Sequence, residues 1–158
     1  MGSLYEQDFI GWTEQQARVL RDAAAQGSNL SLDWANLIEE VESLGRSERR
    51  ALGSEVKRII QHLLKLEFSP AMEPRANWVT TVDNARDEIE ALLVSDPGLK
   101  PRLADIIGEA APRAAKSAAR ELSKRGEIEA ARRAAVQGAD HYAEAQILGD
   151  WFPGEGDD

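Results

Sequence analysis

The 158-residue chain contains no cysteine, which excludes disulfides, thiolate metal sites and cysteine nucleophiles. It contains no run approaching eighteen consecutive apolar residues, so no membrane-spanning helix is expected. The first residues lack a basic segment followed by an apolar one, and Glu6 stands where a myristoylation signal requires Ser or Thr; a cytoplasmic setting is the expectation. There is no His-Glu-x-x-His, no Gly-x-x-x-x-Gly-Lys, no Gly-x-Gly-x-x-Gly and no Gly-x-Ser-x-Gly. Positive charge is also in deficit. A formal net charge of -9 argues against a general nucleic-acid binder, which needs a clustered excess of Lys and Arg.

What the chain does have is segregated charge. Residues 1–45 hold two cations against eight carboxylates, and residues 46–76 hold seven cations against four. The alternation continues with one against five in 77–98, nine against five in 99–138, and none against six in 139–158. Neighbouring blocks of opposite sign attract one another within a fold or across an oligomer interface.

The apolar pattern has a period near 3.6 throughout, and no β-branched or aromatic alternation is long enough for a strand. The expectation is an all-α, single-domain bundle of five to six helices over 1–153, with a disordered acidic tail at 154–158. Tyr5, Phe9 and Trp12 recur at helical spacing, and a capping box at Thr13 and Gln16 opens a helix that Gly27 stops. Asp33 caps a helix with the stripe Trp34, Leu37, Ile38, Val41 and Leu44, which ends in a corner at Gly45. A central helix then runs from Ser47 to Phe68, with the helices at 33–44 and 77–94 packed on it. A helix from Leu99 with a kink at Pro112, one over Glu127–Gln137 and a short one capped by Asp140 complete the pattern.

Few residues present themselves as a site. Glu39 and Glu42 lie three apart on one helix face, where they could offer oxygens to a divalent metal, with Asp83, Asp87 and Glu90 as the clustered carboxylates to complete it. The Glu-x-x-Asp that all-α pyrophosphohydrolases place on a neighbouring helix is missing, so pairing with Arg46, Arg49, Arg50 or Arg58 is the expected role. His62, between Ile59-Ile60 and Leu63-Leu64, reads as a histidine hydrogen-bonded at the core edge. Of four tryptophans, Trp34 and Trp78 fall on apolar stripes and are expected in the core. Trp12 and Trp151, near the chain ends, either pack on one another or serve a partner.

Several segments together carry a resemblance: Tyr5-Glu6-Gln7-Asp8-Phe9 with Trp12 and Gln16, Asn36 through Glu48, His62-Leu63-Leu64-Lys65, Trp78, Asp96-Pro97-Gly98-Leu99-Lys100-Pro101, and Ile147-Leu148-Gly149-Asp150-Trp151-Phe152-Pro153. As a set they resemble the bacterial domain of unknown function 29 family over nearly the whole chain. The resemblance implies an all-helical bacterial protein and brings no catalytic residue with it. The chain departs from the family's pattern over 127–146, where an alanine-rich helical segment replaces a shorter proline-containing link.

The functional expectation is a cytoplasmic protein-interaction module that self-associates, with Trp12, Trp151, Arg46, Arg49 and Arg50 as candidate contact residues and no cofactor. The alternative is a metal-dependent phosphohydrolase or nuclease using Glu39 and Glu42 with His62 as a neighbour.

Overall fold

The 3.6-residue period of the sequence is carried by helices along the chain. The computed structural model describes residues 2–155, in which α1 (Leu4–Gln7), α2 (Phe9–Ala25), α3 (Trp34–Phe68), α4 (Arg75–Ser95), α5 (Leu103–Lys124), α6 (Ile128–Ala135) and α7 (Glu144–Leu148) follow in order. A 3₁₀ helix, Pro97–Arg102, joins α4 to α5, and there is no strand among the described residues. The all-α bundle read from periodicity is therefore the fold, with α1 and α7 as single turns.

The corner expected at Gly45 does not exist. α3 is one helix of 35 residues, roughly 50 Å long at 1.5 Å per residue. Gly45 is buried against α2, where an added Cβ would collide with Thr13 Oγ1. The glycine is needed for close approach of two helices and not for a turn. The segment 33–44 is accordingly the outer part of the central helix, and α2 is the helix that packs beside it.

Thr13 likewise lies inside α2 and not at its start. Its hydroxyl donates to the Ile10 carbonyl at 2.7 Å, and Asp8 caps the helix instead, accepting from Gly11 N at 2.9 Å. Asp8 also accepts from Arg102 Nη1 at 2.8 Å. The buried Asp96 carboxylate accepts from Phe9 N and Gly98 N, both at 3.1 Å, placing negative charge at the first turn of α2. The Tyr5–Phe9 motif and the Asp96-Pro97-Gly98 turn thus form one fastening.

α3 from Gly45 to Leu66 lines the core with Leu52, Val56, Ile59, Leu63 and Leu64, facing Val82, Ala85 and Ile89 of α4. α5 presents Leu103, Ile106, Ala110, Ala114, Ala118 and Leu122, and its alanines let α6 approach through Ala130, Ala131 and Ala134. The helix runs through Pro112, which is exposed. It ends in a Schellman motif: Gly126 takes a φ of 81°, its N–H donates to Ser123 O and that of Glu127 to Leu122 O, each at 2.9 Å. Gly27 takes a φ of 71° two residues after the end of α2, as its reading as a stop signal requires.

Two tryptophans fall elsewhere than expected. Trp78 is buried, but Trp34 is only half-buried on the outer segment of α3. Trp12 and Trp151 do not meet. Trp12 packs with Tyr5 and Phe9, at ring-centroid distances of 4.9 and 5.8 Å, and Trp151 packs on Tyr142 at 5.8 Å. The short last helix begins at Glu144, not near Asp140; Ala143 occupies the cap position and its N–H donates to Gln146 Oε1 at 2.8 Å. Of the acidic tail, Gly154 lies in a turn that Glu155 closes by donating its N–H to Phe152 O at 3.1 Å, and residues 156–158 lie outside the described residues.

The junction between α3 and α6 is held by charge. Burial opposes ionisation of Glu127, but hydrogen bonds from Ser69 and Arg125 and the nearby Arg125 guanidinium outweigh it and hold the carboxyl below its ordinary value. Such a group contributes stability above its unfolded value of about 4.5, and that contribution is lost as pH falls through the lower folded value. Acid thermal denaturation should therefore depress the wild-type midpoint more steeply than that of Glu127→Gln. Parallel slopes would remove this role.

Candidate functional site

Opposite charges pair along α3 in a way that leaves a basic cleft beside it. Glu39 and Glu42 do not face a carboxylate partner. Arg46 Nη2 lies 2.5 Å from Glu39 Oε1, Arg46 Nη1 lies 3.8 Å from Glu42 Oε2, and Arg21 of α2 also pairs with Glu42. Asp83, Asp87 and Glu90 lie exposed on α4. Among the described residues, no group of three or more His, Asp or Glu side chains is placed to hold a metal ion.

Because α3 does not turn at Gly45, its basic segment continues along the same rod and meets α5. Arg46, Arg49, Arg50, Lys57 and Arg58 of α3 and Arg113 of α5 line a cleft of about 650 Å³, in which Glu109 is the one carboxylate among the described residues. Gly53, Ala110 and Ile106 also line it. Arg49 Nη2 pairs with Glu109 at 2.8 Å, and Arg58 pairs with Glu55 of its own helix at 3.1 Å. Arg50, Lys57 and Arg113 have no ion-pair partner among the described residues. A second cleft of about 500 Å³, lined by Arg18, Arg21 and Arg102 with Glu14 and Glu42, adjoins the first through Arg46 and Arg49, which line both.

His62 lines the first cleft. Its Nδ1 is 2.8 Å from the Arg58 carbonyl, and since a carbonyl only accepts, Nδ1 donates and Nε2 is left without a proton in the neutral ring. Burial, and next the ammonium of Lys65, hold the imidazole below its ordinary range, so it adds no charge at neutral pH. His62 thus lines the same cleft as Arg46, Arg49 and Arg50, though twelve to sixteen residues further along α3, and neither Glu39 nor Glu42 lines it.

Lys65, the other polar residue of the His62–Lys65 segment, points away into the core. Its Nζ lies 2.5 Å from Glu121 Oε2 and 5.0 Å from the Trp78 ring centroid. Two polar clusters were not legible in the sequence. Glu67 accepts from His141 Nε2 at 2.7 Å and from the Tyr142 hydroxyl, whose pKa burial and then Glu67 push upward. Arg86, 8% exposed, donates to three carbonyls of the last segment: Ile147 at 3.0 Å, Gln146 at 2.8 Å and Trp151 at 2.7 Å. Neither cluster opens on a described cleft, and both fasten residues 141–151 to the bundle. The arrangement with chemistry to offer is the basic cleft, which can hold anionic groups between two helices.

A comparison with curated proteins returns no match. Among solved structures, the chain is similar to an α-helical protein of unknown function from Rhodospirillum rubrum, with 27% identity, 94% of this chain and 91% of that one covered, and a TM-score of 0.67. The family profile described as domain of unknown function DUF29 matches residues 4–136. That match takes in the fastened amino terminus, the whole of α3 and the cleft, and on it the chain belongs to the DUF29 family.

Proposed function

We propose that the protein is a cytoplasmic interaction module, without a reaction centre, that takes an acidic segment of a protein partner in the cleft between α3 and α5. The observation that carries this reading is the concentration of six cations around one carboxylate in a chain whose net charge is -9. Three of those cations, Arg50, Lys57 and Arg113, spend no charge on a described ion pair, so a ligand carboxylate does not have to displace an internal one. Among the described residues no Phe, Tyr or Trp lines the cleft, and His62 is the one ring there, which leaves nucleobases little to stack on. Among the described residues, no helix is long and apolar enough to cross a membrane.

The test is the affinity for a poly-glutamate peptide, read by fluorescence anisotropy. Electrostatic binding should weaken by at least about tenfold between about 0.1 M and 1 M salt, as the Debye length contracts from about 10 Å to 3 Å. The triple variant Arg50→Glu, Lys57→Glu, Arg113→Glu should lose binding altogether. Equal binding by wild type and triple variant would refute the cleft as the site, and binding of an oligonucleotide in place of the peptide would transfer the reading to nucleic acid.

A further inference from the structure

We propose that the acidic partner is a second copy of this chain, whose α4 presents a carboxylate ridge to the cleft; this rests on the reading of the cleft given above. Asp83, Asp87 and Glu90 recur at i, i+4 and i+7 on α4, on the side away from its buried residues Trp78, Val82, Ala85 and Ile89. All three are exposed and, like Arg50, Lys57 and Arg113, have no ion-pair partner among the described residues.

The two triplets match in length as well as in sign. Asp83 and Glu90 are seven residues apart, which spans about 10 Å on a helix, and Arg50 and Lys57 are separated by the same seven residues on α3. Arg113 faces that row from α5, so a ridge laid along the cleft meets cations on both walls. Within one chain the triplets do not meet: the cleft lies between α3 and α5, and α4 directs its ridge outward. Contact between the two patches either pairs reciprocally about a two-fold axis, each cleft taking the other copy's ridge, or runs on from copy to copy as a ring or an open chain. The net charge of -9 opposes association at long range, but at about 0.1 M salt repulsion beyond about 10 Å is screened while the matched contacts act at closer range.

Sedimentation velocity on the full chain tests this with two charge-reversed variants. The cleft variant is Arg50→Glu, Lys57→Glu, Arg113→Glu, and the ridge variant is Asp83→Lys, Asp87→Lys, Glu90→Lys. Wild type should form dimers and larger species with rising concentration at about 0.1 M salt and revert to monomer at about 1 M. Each variant alone should remain monomeric, and mixing the two should restore association, because each then offers the charge its counterpart lacks. A wild type that is monomeric up to about 1 mM overturns the proposal, as does association that the ridge variant leaves unchanged. Poly-glutamate separates the two readings. If it binds wild type and the ridge variant while wild type stays monomeric, the second copy is wrong and the cleft stands; if it fails as well, both fall.

Discussion

Replacing Arg86 with alanine should lower stability by about 3 kcal/mol, which in a chain of this size moves the thermal midpoint down by roughly 10 °C. One guanidinium holds the segment from Gln146 to Trp151. It donates to the carbonyls of Ile147, Gln146 and Trp151, and lies 4.8 Å from the Phe152 ring centroid. Burial makes the charged form costly and lowers the pKa; Asp83 and then Asp150 offset this from a distance. Alanine leaves three carbonyls without their donor and opens space beneath Phe152, so the loss exceeds that of an exposed arginine. Lysine should restore only part of it, since a single ammonium cannot match a fork of donors aimed at three acceptors. Hydrogen exchange should locate the first effect at residues 146–152. A change within about 0.5 kcal/mol of wild type would show that the segment is held by its apolar contacts alone.

Gly45→Leu should cost about 3 kcal/mol or more, and the smaller Gly45→Ala tests the cause. A methyl at 45 meets Thr13 Oγ1, while the Thr13 Cβ stands 3.5 Å away at ordinary contact distance. In wild type the collision should outweigh the roughly 1 kcal/mol that alanine gains over glycine inside a helix. In a Thr13→Ala background the obstructing oxygen is gone, and the same substitution should stabilise by about 1 kcal/mol. A glycine at a true corner would give a different pattern, with alanine penalised in both backgrounds. The double-mutant cycle from thermal denaturation therefore distinguishes a continuous α3 from a hinged one.

The clue to that continuity was present in the sequence. Trp34, Ile38, Val41, Gly45, Leu52, Val56, Ile59 and Leu63 keep one phase across the glycine, and a corner would usually break it. Reading Gly45 as punctuation gave local propensity precedence over phase, whereas the tertiary approach of α2 decides the matter. Helix existence was legible for every longer element because the period is regular and Gly27 and Gly126 do end helices. Side chains whose partners lie far along the chain were not. Nothing around Arg86 in the sequence announces that the carbonyls of residues 146–151 fold over it. The cleft was half visible: Arg46, Arg49 and Arg50 stood out as a basic run, but Arg113 and Glu109 arrive from α5, sixty residues on, and no local pattern announces them.

The measurement that bears most directly on the cleft as the working surface is an amide chemical-shift titration of the full chain with the poly-glutamate peptide. The account predicts saturable shifts confined to residues 46–62 of α3 and 106–113 of α5, reduced when salt is raised from about 0.1 M to 1 M. Shifts centred on another face, or none at low salt, would contradict it.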